Sequence, residues 1–135
     1  MPLGDPQGGL FEYTDEGLPE AIHACVVPVS DVTRAIGFYT EILGMDLLHS
    51  DSDSAYLQRS GCRLILRRSN DAGRDTGIFI GVANPYDTRR RLMDEGVVFV
   101  DPPERTPFGT ATSIRDDDGN VLHFIEMKGG FKPPE

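Results

Sequence analysis

An internal repeat is the feature of this sequence that most restricts its fold. A short strand-like run at residues 22–29 precedes one amphipathic helical segment and three further strand-like runs, and the same order starts again at residue 77. Repeats of roughly 50 residues indicate structural units that bury apolar surface against one another. Each unit is predicted to be β-α-β-β-β. Alone, a unit would leave one sheet face open, so the repeat predicts an α+β fold in which two tandem βαβββ modules form a curved mixed sheet around a cleft, with the helices outside.

Both helical segments have clear ends. The first, "SDVTRAIGFYTEILG", can be capped by Ser30 or Asp31, has apolar residues at spacings of three and four, and ends at Gly44. The second, "NPYDTRRRLMDEG", is predicted to be capped by Asn84 and to end at Gly96.

The repeat also predicts the domain organisation. A single domain is expected over residues 21–128, with modules at about 21–70 and 76–128. Residues 1–20 are rich in glycine, proline and acidic residues and are predicted to form a flexible arm, and residues 129–135 a similar tail.

Composition excludes several partners. The net charge of −9 argues against nucleic acid, which needs a basic stripe, and no apolar run is long enough to span a membrane. The acidic balance favours either simple solubility or attraction of cationic ligands.

The N-terminus lacks a secretory pattern, so a cytoplasmic location is expected. Cys25 and Cys62 are then expected to be reduced thiols.

Two segments resemble a known family. "SDVTRAIGFYTEILGMDLL" resembles the first helix of the vicinal oxygen chelate superfamily, which includes glyoxalase I, extradiol dioxygenases and bleomycin-resistance proteins. "DDDGNVLHFIE" resembles the closing turn and last strand of that superfamily. The resemblance covers about residues 21–128. It implies the two-module fold and, in the enzyme members, a divalent metal held in the cleft by His, Glu or Gln side chains.

Most of the sequence positions that hold metal ligands in the enzyme members carry residues that cannot coordinate a metal. By the resemblance to glyoxalase I, the four positions fall on Ala24, Ile65, Gly77 and His123, and only the histidine can coordinate a metal. His23 is next to the first position, but neighbouring strand residues point to opposite faces, so it is expected to face away from the cleft. The resemblance therefore implies no metal and no cofactor.

The last strand is similar to that of the metal-free bleomycin-resistance branch. Gly119, Asn120, His123 and Phe124 match its pattern, although Glu126 lies one position early. The resemblance implies a homodimer that binds a small aromatic or antibiotic-like molecule, as in drug sequestration. The chain has no tryptophan to stack a ligand, which argues against bleomycin itself.

The alternation of side chains between the two faces of a strand (strand parity), together with the resemblance, predicts which residues bind the ligand. His123 has three possible roles: a core histidine bonded to a backbone carbonyl, a cleft residue that contacts ligand, or a metal ligand. Tyr56, Phe79 and Phe108 are expected to take the place of tryptophan. The predicted ligand-binding set is His123, Phe79, Arg63, Arg67, Tyr56, Val26, Phe108 and Ile125.

Two questions stay open at this level. Arg63 and Arg67 are either residues at the rim of the cleft with solvated guanidinium groups or bidentate partners for a carboxylate or phosphate.

The protein is alternatively a glyoxalase-like lyase, isomerase or dioxygenase, in which His123 and Tyr56 would be the catalytic residues. A His–Tyr or His–carboxylate pair can transfer protons without a metal.

Overall fold

The computed structural model describes residues 17–127. Residues 1–16 of the predicted arm and the whole predicted tail lie outside this range. The first module consists of β1 (Cys25–Val29), α1 (Val32–Gly37), a π-helical segment (Phe38–Ile42), β2 (Asp46–Ser50), β3 (Ser54–Arg59) and β4 (Cys62–Arg68). The second consists of β5 (Asp75–Val82), α2 (Pro85–Asp94), β6 (Val98–Thr106), β7 (Gly109–Arg115) and β8 (Val121–Glu126).

The two modules have the same sheet topology. Their strand orders are β1-β4-β3-β2 and β5-β8-β7-β6. In each sheet the first strand pairs in parallel with the last, and the remaining pairs are antiparallel. The predicted α+β fold with two βαβββ modules is confirmed.

The helix starts follow the local sequence. Asp31 caps α1 by accepting the Arg34 backbone N–H at 3.1 Å, while the side chain of Ser30 bonds elsewhere. Asn84 caps α2 by accepting the Tyr86 N–H at 2.9 Å. A cap of this kind satisfies one of the N–H groups that a helix leaves without a partner at its start.

The first helix is not α-helical to its end. After Gly37 it widens into the π-helical segment, in which the Leu43 N–H donates to the Phe38 carbonyl at 3.2 Å. The consecutive side chains Phe38 and Tyr39 are both buried in this segment, with 5% and 0% exposure. Both pack in the hydrophobic core.

The two sheets bury one face each in a shared core beneath the helices. In β1, Val27 and Val29 are fully buried, whereas Val26, between the core-facing positions, is 42% exposed. In β8, Leu122 and Phe124 are buried in the same way. The opposite face of each sheet is therefore the one available to a ligand.

The acidic turn "DDDGN" fastens the second module to the first. The side chain of Asn120, which has no exposed surface, accepts the N–H groups of Gly73 (2.8 Å) and Arg74 (3.1 Å). Its amide donates to the Pro28 carbonyl at 2.7 Å and to Asp116 at 3.0 Å. Four partners on three chain segments are thus satisfied by one amide.

Two carboxylates of the same turn reach the first helix. Asp116 accepts the hydroxyl of Tyr39 at 2.6 Å, and Asp118 accepts from Ser30 and from the Arg34 guanidinium at 2.9 Å. Burial, reinforced by the Asp116 carboxylate, raises the pKa of the Tyr39 hydroxyl. The tyrosine therefore stays protonated and remains a donor.

Over residues 17–127, no helix is long and apolar enough to cross a membrane.

Candidate functional site

His123 lies in the middle of β8 on the sheet face opposite the helices. Its Nδ1 is 2.8 Å from Oγ of Ser113 on β7, and its Nε2 is 2.8 Å from Oδ1 of Asp75 on β5. An ionised carboxylate can only accept, so in the neutral ring the hydrogen is on Nε2 and Ser113 donates to Nδ1. The histidine is bonded to side chains rather than to a backbone carbonyl, and 18% of its side chain is exposed.

A bulge in β5 brings Asp75 to the histidine. Asp75 pairs with Val121 and Phe79 pairs with His123, so four steps along β5 match two along β8. Gly77, with φ of +70°, lies in the irregular stretch and donates its N–H to Asp75 Oδ1 at 3.0 Å. Asp75 was not predicted from the sequence. The isolated glycine in a strand-like run was the signal, because such glycines often mark bulges.

The environment of Asp75 makes its ionised form favourable. Hydrogen bonding from the Gly77 N–H, and then from His123, holds the pKa of this exposed carboxyl below its usual range. Because the pKa is lower in the folded than in the unfolded chain, the stabilisation is present above the unfolded pKa. It is lost as the pH falls through the folded pKa.

This arrangement predicts a measurable coupling. In His123→Ala, the pKa of Asp75, followed by carboxyl carbon NMR, should rise part of the way to its usual value, because the Gly77 N–H remains. His49→Ala, which removes an exposed histidine near Asp51, should leave the Asp75 pKa unchanged. An unchanged Asp75 pKa in His123→Ala would show that the contact does not persist in solution.

Phe79 provides an exposed aromatic surface beside the histidine. The two rings are stacked, with centroids 4.5 Å apart and an angle of 13° between planes. Phe79 is 58% exposed, so one ring face rests on His123 while much of the ring remains open to solvent. An exposed ring with a fixed backing is suited to stack a flat apolar ligand.

The ring lies in a cleft between the modules, which we call the central cleft. Its volume is about 440 Å³. Its walls include Cys25 at the start of β1, Arg63 on β4, and Phe79 and Gly81 on β5. A second pocket has a volume of about 320 Å³. It is lined by Val26, Pro28, Arg67, Ser69, Asp71, Arg74, Asp75 and Thr76.

The predicted site residues are distributed unequally over these spaces. Phe79 and Arg63 line the central cleft, and Val26 and Arg67 line the second pocket. Ile125 pairs with Gly81 across from β5 and shares the sheet face of His123. These positions agree with strand parity.

Two further predicted residues lie apart from the His123 group. Tyr56 is on β3 opposite Ile65, and its hydroxyl is 3.0 Å from Nε2 of His23. Phe108 is 59% exposed in the turn between β6 and β7 and does not line either space. His23 lines the central cleft, so the expectation that it faces away from the cleft is wrong. β1 begins only at Cys25, so strand parity does not extend to this residue.

The two cysteines are free thiols that line the central cleft. Burial, with a smaller contribution from Cys25, raises the pKa of the Cys62 thiol. A thiol of this kind is a poor nucleophile because little thiolate is present.

The donor set does not fit the divalent metal of the enzyme relatives. Ala24, Ile65 and Gly77 offer no side-chain ligand atom, and both ring nitrogens of His123 are already engaged by Ser113 and Asp75. Within residues 17–127, no group of three or more His, Cys, Asp or Glu side chains is arranged to hold a metal ion.

Two βαβββ modules with an open cleft between them define a class that contains both enzymes and binding proteins. The chain belongs to the glyoxalase/bleomycin resistance protein/dioxygenase superfamily, whose family model matches residues 21–124. This confirms the family resemblance seen in the sequence.

Solved structures show the same fold. TnmS3, an antibiotic binding protein from Streptomyces sp. CB03234, is 28% identical with a TM-score of 0.70, over 80% of this chain and 96% of that protein. The bleomycin-binding protein of Streptomyces verticillus is 22% identical with a TM-score of 0.65, over 81% and 98%. Lactoylglutathione lyase from Agrobacterium tumefaciens is 17% identical with a TM-score of 0.68, over 82% and 96%. The last two show the fold alone.

Proposed function

We propose that this protein binds a small, largely aromatic molecule without a metal, in the manner of an antibiotic-sequestering protein. The observation that carries the proposal is the exposed ring of Phe79, backed by the hydrogen-bonded ring of His123, in a cleft formed by both modules. The likeness to TnmS3, an antibiotic binding protein, supports the same class of function.

The hydrogen bonds of His123 make this stacking surface rigid before ligand arrives. Asp75 and Ser113 fix the imidazole from both ends, and Phe79 stacks on the ring so fixed. A surface that is already ordered loses little side-chain freedom on binding, and this favours affinity.

We also propose that two copies form a homodimer. β2 and β6 each form one of the two edges of their sheet, and β6 exposes Val98 and Val100 with 61% and 40% exposure. A second copy would cover such strand edges. Light scattering at micromolar concentration should give about twice the 14.8 kDa chain mass, and a value near one chain mass would contradict the dimer.

A metal-independent enzyme is the second candidate, and the Asp75–His123–Ser113 chain of hydrogen bonds favours it. A histidine oriented by a carboxylate can move a proton, as in a lyase or isomerase. Tyr56 does not join His123 in this role, since its hydroxyl contacts His23 instead. A dioxygenase would need a metal that the donor set does not fit.

Binding measurements on the purified protein test the proposal. Elemental analysis after purification without chelator should find no stoichiometric divalent metal, and native mass spectrometry should detect any bound small molecule.

In calorimetry, aromatic probes such as biphenyls should bind at one site per chain. His123→Ala should weaken that binding about 5–30-fold through loss of the fixed backing of Phe79. One equivalent of metal, or no aromatic binding at all, would contradict the proposal.

The matched control is His49→Ala, since His49 is exposed on the outer strand β2. It should leave both affinity and melting temperature nearly unchanged. If His123→Ala instead lowers the melting temperature strongly and leaves affinity intact, the histidine has only a structural role.

A further inference from the structure

The central cleft has an unusual charge for this chain. The whole protein carries a net charge of −9, which would favour cationic ligands. Yet the charged side chains that line the cleft are Arg59 and Arg63, and His23 lies beside them, while its lining includes no Asp or Glu. The local charge is therefore opposite in sign to that of the whole protein.

These arginines differ from four others in the described chain, each of which has an aspartate partner. Arg34, Arg68 and Arg74 are each paired with an aspartate, at 2.9, 3.1 and 3.9 Å. Arg90 likewise pairs with Asp87. The abundant carboxylates of this protein thus neutralise arginines elsewhere on its surface.

Neither cleft arginine has a carboxylate partner among residues 17–127. Arg59 donates only to the backbone carbonyl of Gly44, at 3.1 Å. The side chain of Arg63 forms no hydrogen bond or ion pair with another described residue. It is exposed on β4, paired across the sheet with Gln58.

We propose that the central cleft selects an aromatic carboxylate, whose ring stacks on Phe79 and whose carboxylate is held by Arg63. This inference rests on the proposed binding function and specifies its ligand class. A guanidinium fork matches a carboxylate with two parallel N–H···O bonds, and the absence of acidic lining removes the competing intramolecular partner. Cys25, Gly81 and Met127 supply apolar surface around the ring.

The second pocket does not have this character. Arg67 lines it together with Arg74, but Asp71 and Asp75 are part of the same lining. Their negative charges offset the two guanidinium groups there. The carboxylate of the ligand is therefore assigned to the Arg63 end.

Three biphenyls of nearly equal shape test the inference: biphenyl-4-carboxylate, 4-(hydroxymethyl)biphenyl and 4-(aminomethyl)biphenyl. They are titrated into the full chain by calorimetry at low ionic strength and pH 7. The carboxylate should bind about 10–30-fold more tightly than the neutral alcohol, and the ammonium compound most weakly. Added salt should reduce the preference because an exposed ion pair is screened.

Two variants identify the residue. Arg63→Gln should reduce the preference for the carboxylate over the alcohol to about twofold or less while leaving alcohol binding unchanged. Arg105→Gln, an equal charge change at an exposed position of β6 outside the cleft lining, should keep the preference. Comparable melting temperatures of the two variants verify that both are folded.

The outcomes separate this inference from the proposed function. If the three biphenyls bind equally, if the ammonium compound binds best, or if Arg63→Gln retains the preference, the charge selection is wrong and aromatic binding stands. If none of the three binds, both the inference and the proposed function are contradicted.

Discussion

Replacing Asn120 with alanine should lower the free energy of unfolding by about 2–4 kcal/mol, on the order of 10 °C in melting temperature. The reason is the number of backbone groups that lose their partner at once. The Gly73 and Arg74 N–H groups and the Pro28 carbonyl all bond to this side chain, and no water-exposed surface is available to it. Chemical denaturation followed by circular dichroism measures the change.

Asn70→Ala is the matched control for this prediction. Asn70 is exposed in the loop before β5, and the same truncation there should change stability by less than about 0.5 kcal/mol. A similar small effect in Asn120→Ala would mean that the turn does not hold the modules together as described.

Replacing Phe79 with alanine should weaken binding of an aromatic ligand by about 10–150-fold, or about 1.5–3 kcal/mol. The ring is a large exposed apolar surface that lines the central cleft, so its removal takes away area that the proposed ligand would cover. Stability should change little, because the ring is 58% exposed without ligand. Calorimetry with a biphenyl probe measures the affinity, and thermal unfolding measures the stability.

Tyr86→Ala provides the comparison for Phe79. Tyr86 is 56% exposed on α2, on the outside of the molecule and away from the cleft lining. Its loss should leave affinity unchanged. Equal affinities of the Phe79→Ala variant and the unmodified protein would place the ligand elsewhere.

The fold could be predicted because its signals are local and repeated. Asn84 caps the predicted helix start, and Gly44 and Gly96 have positive φ where the helices were expected to end. Period-two alternation placed Val26 and Phe79 on the open face. The π-helical widening was missed, because the spacing of apolar residues was compatible with an ordinary α-helix.

The site could be predicted only in part, because its decisive contacts depend on irregular backbone. Asp75 reaches His123 through the bulge around Gly77, and His23 reaches Tyr56 because the chain ahead of β1 is not a strand. Strand parity describes neither case.

The role of Asn120 was also hidden from the sequence. It was recognised as part of a family-like pattern, but three of its four side-chain partners are 46, 47 and 92 residues away along the chain. Spacing alone cannot reveal contacts of this separation.

The junction between the two modules has a consequence for how such a protein adapts to new ligands. Within residues 17–127, β1 pairs only with β4, and β5 only with β8, so no backbone ladder joins the two sheets. The distance between the cleft walls is set instead by side chains, among them those of the turn at residues 116–120. Substitutions in that turn can therefore alter the width of the cleft while every residue that touches the ligand is kept. If the proposed function holds, mutations in that turn can change the size of ligand that fits, separately from the chemistry of the residues at the cleft surface.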